Sequence, residues 1–238
     1  METLSKNKIK WIRSLRMKKN RDSEQLFIVE GEKMVQELVN NHSDLIECVV
    51  STDKTISFNH STFLADVQSM GQISSLKTPN RLLAVVKIRP KKSKNAKFIL
   101  ALDGIQDPGN MGTILRTADW FGVDEVICSK NTVDIHNPKV VQASMGSLFR
   151  IPINYCNLHE YLSKSDLTIY GALLSGESIY TKTVRQEGII VMGNEGNGIS
   201  AEIKELIQTS IHIPRFGESE SLNVAVATGI VLSEFSRG

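Results

Sequence analysis

Residues 211–235 constrain this chain more than any other stretch: Ile-His-Ile-Pro-Arg-Phe-Gly-Glu-Ser-Glu-Ser-Leu-Asn-Val-Ala-Val-Ala-Thr-Gly-Ile-Val-Leu-Ser-Glu-Phe. A short β-type run enters a polar loop, and the loop opens into a helix built mainly from Val, Ala, Gly and Ile. That helix has an apolar stripe and almost no charge, so it is expected to be deeply buried, although chain ends usually fray. Ser221 and Asn223 at its start have an ordinary reading as helix-capping residues. A buried terminal helix with polar residues at its start also suggests a binding site there.

The chain as a whole divides by pattern into two parts. Residues 4–20 predict an amphipathic helix with Leu4, Ile12 and Leu15 on one side and bases around them. Phe27–Val29 predicts a strand, the segment after Gly31 a helix through Met34, Val35, Leu38 and Val39, and Glu47–Val50 a strand. Phe63–Met70 reads as a helix ending at Gly71, and Leu82–Ile88 as a strand. Residues 91–97 are basic and polar and follow Pro90, which marks a linker between a domain over 1–90 and a second over 98–238. In the second, strands at Phe98–Leu102, Glu125–Cys128, Leu167–Leu173, Gly188–Met192 and Ile211–Ile213 alternate with helices at Met111–Phe121, Val140–Leu148 and Ala201–Gln208. Such alternation predicts an α/β fold with a mostly parallel sheet and helices on both faces.

The net charge of +2 conceals an asymmetry, because residues 1–21 and 87–97 hold 14 of the 28 bases and one acid. The other 206 residues carry 14 bases against 25 acids. Two concentrated basic stretches on an otherwise acidic chain look like a footprint for a polyanion, with solvated tails as the ordinary alternative. Cys48, Cys128 and Cys156 have no metal-ligand spacing, which favours a reducing, cytoplasmic compartment over a disulfide framework. The five histidines form no ligand pair, so no structural metal is expected. No apolar run reaches membrane-spanning length.

In a sheet of this kind, ligands sit where carboxyl ends of strands lead into helices. Three such loops have unusual composition: Asp103–Arg116, Gly193–Ser200 and Pro214–Asn223. Neither of the glycine-rich loops has dinucleotide-fingerprint spacing or a phosphate-loop Gly-Lys-Ser/Thr ending, which disfavours an ordinary nucleotide site. Asn110, Arg116, Glu195, Ser221 and Asn223 each have a plain reading as a cap, a turn residue or a surface charge. Their joint occurrence in three strand-end loops is harder to dismiss.

Three segments then carry a resemblance: Asn110-Met-Gly-Thr-Ile-Leu-Arg-Thr-Ala118, Val191-Met-Gly-Asn-Glu-Gly-Asn-Gly-Ile-Ser200, and Ile213-Pro-Arg with Ser221-Leu-Asn-Val-Ala-Val-Ala227. In this order they resemble the motifs of the SpoU (TrmH-type) RNA ribose 2′-O-methyltransferases of the SPOUT superfamily, over about residues 96–238. The basic N-terminal part resembles the small L30e-like substrate-binding domain of many members, through Phe27-Ile-Val-Glu-Gly-Glu-Lys33 and Leu82–Val86. One departure is Arg215, where many members have a methionine, and the following Phe216–Glu220 is unusually acidic.

The resemblance implies a C-terminal trefoil knot, a homodimer whose interface completes the site, and S-adenosylmethionine as cofactor, held against Gly193, Ile213 and Leu222. It implies an active site of Asn110, Arg116, Glu195, Ser221 and Asn223. Arginine side chains normally stay protonated at physiological pH, so two roles stand open for Arg116: base toward the ribose hydroxyl, or charged stabiliser of the developing alkoxide. RNA phosphates would meet the basic N-terminal helix through Lys8, Arg13, Arg16, Lys18 and Lys19. Ribosomal RNA is favoured over transfer RNA by analogy with members carrying the extra domain. A non-catalytic RNA-binding or ribosome-assembly protein is the alternative from another class.

Overall fold

The computed structural model describes residues 1–56, 58–90, 93 and 95–237. Lys91, Lys92 and Lys94 of the expected basic linker lie outside the described residues. The chain forms two compact units, one of Met1–Arg89 with His136–Gly146 and one of Pro90–Ile135 with Ser147–Gly238.

The first unit holds β1 (Glu2–Thr3), α1 (Lys6–Ser14), α2 (Lys18–Glu24), β2 (Leu26–Glu30), α3 (Glu32–Asn41), β3 (Ile46–Ser51), β4 (Thr62–Leu64), α4 (Val67–Ile73) and β5 (Leu82–Lys87). Its mixed sheet runs β1-β4-β3-β5-β2. Ile9, Ile12 and Leu15 pack with Ile28, Val50, Phe63 and Val85 in one core. Two sequence expectations change here. The helix over 4–20 is broken at Leu15–Met17, because Asn20 donates its side-chain amide to Ser14 O at 2.9 Å and Arg21 donates to Leu15 O and Arg16 O at 3.0 and 2.7 Å. These side chains satisfy carbonyls that a continuous helix would have paired internally. The helix expected at 63–70 starts only at Val67, because Asp66 caps it by accepting from Ser69 N. Phe63 is instead a strand residue, paired with Glu2 and Val50.

The second unit is a six-stranded, fully parallel sheet in the order β11-β9-β10-β6-β7-β8. Its strands are β6 (Phe98–Asp103), β7 (Glu125–Ser129), β8 (Ile153–Cys156), β9 (Ile169–Ser178), β10 (Gly188–Gly193) and β11 (Thr209–His212). The helices are α5 (Pro108–Trp120), α7 (Leu158–Ser163), α8 (Ala201–Lys204) and α9 (Val224–Arg237), with α6 (Pro138–Ser144) belonging to the first unit. Side chains alternate across strands, so Ile99, Ala101, Ile189 and Val191 share one core with Leu158, Leu162 and Ile203. On the other face Phe98 stacks with Phe235 of α9 at 5.9 Å, and Tyr170 meets the same ring edge-on at 4.9 Å.

The terminal helix is only half buried. Val224, Ala225, Thr228, Val231, Leu232 and Phe235 face inward, whereas Val226 is 53% exposed. Its apolar stripe is wider than the face its own chain covers. Further bounds shift: the helix expected to 148 ends at Ser144, where Met145 turns left-handed, the helix expected to 208 ends at Lys204, the strand expected over 167–173 runs Ile169–Ser178, and Ile213 lies beyond the last strand. Among the described residues no helix is long and apolar enough to cross a membrane.

Candidate active site

The three unusual loops converge at the carboxyl ends of β6, β10 and β11. Gly104, directly after β6, adopts φ +74°, which favours glycine. Its N–H donates to Ser129 Oγ at 2.8 Å, and Gln106 Nε2 donates to Asn131 O at 2.6 Å, so the loop after β7 braces the loop after β6. Helix α5 then begins with Asp107 as its cap, accepting from Asn110 N at 2.8 Å. The residue expected to cap, Asn110, is therefore inside the first turn, and its side chain is released for other partners.

After β10 the chain doubles back, with reciprocal main-chain hydrogen bonds of 2.9 Å between Asn194 and Gly198. A Cβ at Gly193 would stand 2.2 Å from the Gly198 carbonyl carbon and the Ile199 nitrogen, so only glycine permits this return. Asn194 holds the loop by accepting from Gly196 N and Asn197 N and donating to Gly104 O at 2.7 Å. The buried Asp103 carboxylate accepts from Ser200 N at 2.8 Å and anchors the loop's far end. Neither Asp103 nor Asn194 was singled out from sequence as a site residue. Strand-end carboxylates and amides beside glycine turns were the available signal.

The glycine turn presents Glu195 toward the first loop. Its carboxylate accepts from Gln106 N and Asp107 N, both at 3.2 Å, from Asn110 Nδ2 at 3.1 Å and from Asn194 Nδ2 at 3.4 Å. Partial burial raises its pKa, but the hydrogen bonds from Asn110 and the main chain outweigh that and hold it below the ordinary carboxylate value. Asn110 Oδ1 in turn accepts from Asn223 Nδ2 at 2.9 Å. Asn223 Oδ1 accepts from Ala225 N and Val226 N and so caps α9.

This chain of amides has one consistent direction. The helix N–H groups claim the oxygen of Asn223, which turns its NH₂ to Asn110. That claims the oxygen of Asn110, whose NH₂ is left for an acceptor, and ionised Glu195 is acceptor-only. The cap that Asn223 makes on α9 therefore also fixes its hydrogen bond to Asn110.

The other expected site residues are placed differently. Arg116 is exposed on α5, and its guanidinium makes no hydrogen bond or ion pair among the described residues. It shares an outward stripe with Thr113 and Trp120, the latter 83% exposed. Ser221 is exposed and caps nothing; its carbonyl accepts from Ser219 Oγ at 3.1 Å. Ile213 is half-buried and Leu222 is 51% exposed, bracketing a segment in which residues 213–222 make no main-chain pairing among the described residues. Main-chain groups without main-chain partners, flanked by apolar side chains at Ile213 and Leu222, can hold a heteroaromatic ring by its faces and its edge.

In the first unit the bases divide by role. Arg13 and Lys19 are exposed and unpaired among the described residues. Lys18 pairs with Asp22 at 2.7 Å on the open surface, which costs little to release. Lys8 lies over Phe63 at 4.3 Å and Trp11 at 5.4 Å. Arg16 is committed to the fold, because it donates to Gln72 O at 3.2 Å and to Ser74 O. Nothing in sequence separated Arg16 from Arg13.

Comparison with known proteins places these features in context. Residues 97–233 match the SpoU rRNA methylase family, and residues 6–84 match the MRM3-like substrate binding domain. The 23S rRNA (guanosine(2553)-2′-O)-methyltransferase RlmP of Bacillus subtilis is 31% identical over 98% of this chain and 97% of its own length. A TrmH-family RNA methyltransferase structure from Porphyromonas gingivalis superposes with TM-score 0.88 at 38% identity, covering 99% of both chains. An AdoMet-bound rRNA methyltransferase from Sinorhizobium meliloti superposes with TM-score 0.86 at 28% identity, covering 100% of this chain and 97% of that one.

Proposed function

The chain belongs to the SpoU rRNA methylase family, and from that premise we propose that it methylates a ribose 2′-hydroxyl of ribosomal RNA with S-adenosylmethionine. The observation that carries the reading is the Asn223–Asn110–Glu195 relay, which ties all three motif loops into one preorganised site. S-adenosylmethionine supplies an electrophilic methyl group on a sulfonium. The main chain at the two ends of the segment 213–222, about Ile213 and Leu222, fits that cofactor, with Gly193, Ile213 and Leu222 as the surrounding wall and the tip at 215–220 outside it. Arg116 faces the RNA, as base or as charged stabiliser of the 2′-oxygen. Asn110, Glu195 and Asn223 hold the strand-end loops in register, and Ser221 sits at the mouth. Alignment of reacting groups in a site of this kind is worth roughly 7–11 kcal/mol. Calorimetry with S-adenosylmethionine tests the reading: a saturable one-to-one heat is expected, and no heat would favour an RNA-binding protein without catalysis.

The domain reading is a substrate-binding module over 1–90, a basic linker over 91–97 and a catalytic module over 98–238. Membership of the family is what favours a threaded C-terminus, whose last segment pairs with β9 as β11 and then packs as α9 on α5. The three free cysteines fit a reducing cytoplasm.

Dimerisation is supported by uncovered apolar surface on neighbouring helices, Trp120 on α5 and Val226 on α9. Because Arg116 lies on the same stripe as Trp120, a second copy seated there would complete the site around it. Trp120→Glu is expected to yield a monomer by light scattering and to lose activity. A dimer that survives this change would overturn the assignment of that face.

RNA contact through the first unit rests on Arg13, Lys18 and Lys19, with Lys8 and Arg16 shaping the surface they stand on. Affinity for ribosomal RNA is expected to fall steeply with salt, and neutralising Arg13 and Lys19 together should lower the log–log slope by about two. A slope unchanged in that double variant would remove these residues from the interface. Arg16→Gln should instead lower thermal stability, since it leaves two carbonyls without their donor.

A further inference from the structure

The third motif departs from its family at Arg215, and we propose that the neighbouring Phe216 is a base-stacking residue that holds an unpaired RNA base near the methylated ribose. The inference rests on the methyltransferase reading and adds a residue to it. Phe216 is 93% exposed, more than any other large apolar side chain among the described residues. It makes no ring contact there, whereas Phe27, Phe63, Phe98, Phe149 and Phe235 are all buried. The ring stands on a loop fixed at both ends, by the pairing of β11 and by the Asn223 cap of α9. The Arg215 guanidinium reaches forward to Ser219 O at 3.5 Å and spans the turn that carries Phe216.

An aromatic ring left in water on a loop whose ends are anchored, between the last strand and the Asn223 cap, has a use that a mere loop residue lacks. Single-stranded and looped RNA presents bases whose faces are open, and proteins take such bases by stacking them on aromatic rings. The acidic neighbours Glu218 and Glu220 make this stretch a poor phosphate ligand, so a neutral stacking contact is the interaction with RNA that its chemistry favours. The occupant is therefore a nucleobase of the substrate.

The test uses the full chain, an unmethylated large-subunit ribosomal RNA transcript, and Phe216→Trp, Phe216→Leu and Phe216→Ala. Stacking energies of this class predict that Ala weakens RNA binding about 5- to 150-fold, that Leu is nearly as weak, and that Trp keeps the parent affinity. S-adenosylmethionine affinity and dimer mass should be unchanged in all three. If Leu binds RNA as well as the parent, the contact is not stacking and the proposal fails. Loss of cofactor affinity or of the dimer would equally overturn it, placing the ring against the cofactor or the second copy. If the parent chain itself transfers no methyl group to the transcript, the methyltransferase reading fails first, and that outcome is distinct from an active parent with an indifferent Phe216.

Discussion

Replacing Arg116 with alanine is expected to abolish methyl transfer to the cognate RNA while S-adenosylmethionine still binds. The side chain is exposed on α5 and holds no partner among the described residues, so its removal leaves the helix and its packing intact. Alanine is also the best helix former, and surface changes of this kind usually alter stability by little. Activity is different. Whether the guanidinium takes the proton or stabilises the alkoxide, its loss is worth on the order of 100-fold or more. Single-turnover transfer beside calorimetry separates the two effects. Arg116→Lys then distinguishes the roles: a base with a lower intrinsic pKa shifts the pH–rate profile toward neutrality, whereas a charge-stabilising group leaves the profile in place at reduced rate. Full turnover by the alanine variant would remove Arg116 from the chemistry.

Glu195→Gln carries the second large expectation. The substitution keeps shape and volume but changes the hydrogen-bonding character of one arm. Four donors converge on the carboxylate, from Gln106, Asp107, Asn110 and Asn194. A glutamine must turn its own NH₂ against some of them. Asn110 cannot compensate by flipping, because Asn223 is locked by the helix it caps. The relay therefore breaks at its weakest point, between the loops after β6 and β10. The rate is expected to fall about 100-fold with little change in melting temperature, since the residue lies at the surface. A variant as fast as the parent would show that the relay is not needed. The sign of the pH dependence follows from the lowered pKa of Glu195. Its contribution to stability is fully present above the unfolded carboxylate value and is lost as pH falls through the still lower folded value. Around neutral pH the relay does not titrate, so any pH dependence there belongs to other groups.

Much of this site was legible in the sequence because its loops are compositionally extreme. Glycine turns and the small-residue terminal helix appear in linear order, and the residues of the relay come from three separate motifs. The capping assignment failed at Asn110 because Asp107, three residues earlier and followed by Pro108, is the better cap. The exposed half of α9 was not legible, because an apolar stripe does not say whether the same chain or a second copy covers it. In the first unit the break between α1 and α2 contains neither Gly nor Pro; it depends on side-chain bonds from Asn20 and Arg21 that periodicity does not carry. Strand β8, an edge strand of Ile, Asn, Tyr and Cys with no fully buried residue, offered no apolar run to detect.

The central claim is that this site methylates a ribose in ribosomal RNA. The most direct measurement maps 2′-O-methylation across ribosomal RNA from a strain lacking the gene and from the same strain complemented with the intact chain or with Arg116→Ala. One ribose methyl group should vanish in the deletion strain, return with the intact chain and stay absent with the variant. An unchanged ribosomal methylation map would contradict the claim, and loss confined to transfer RNA would move the substrate there.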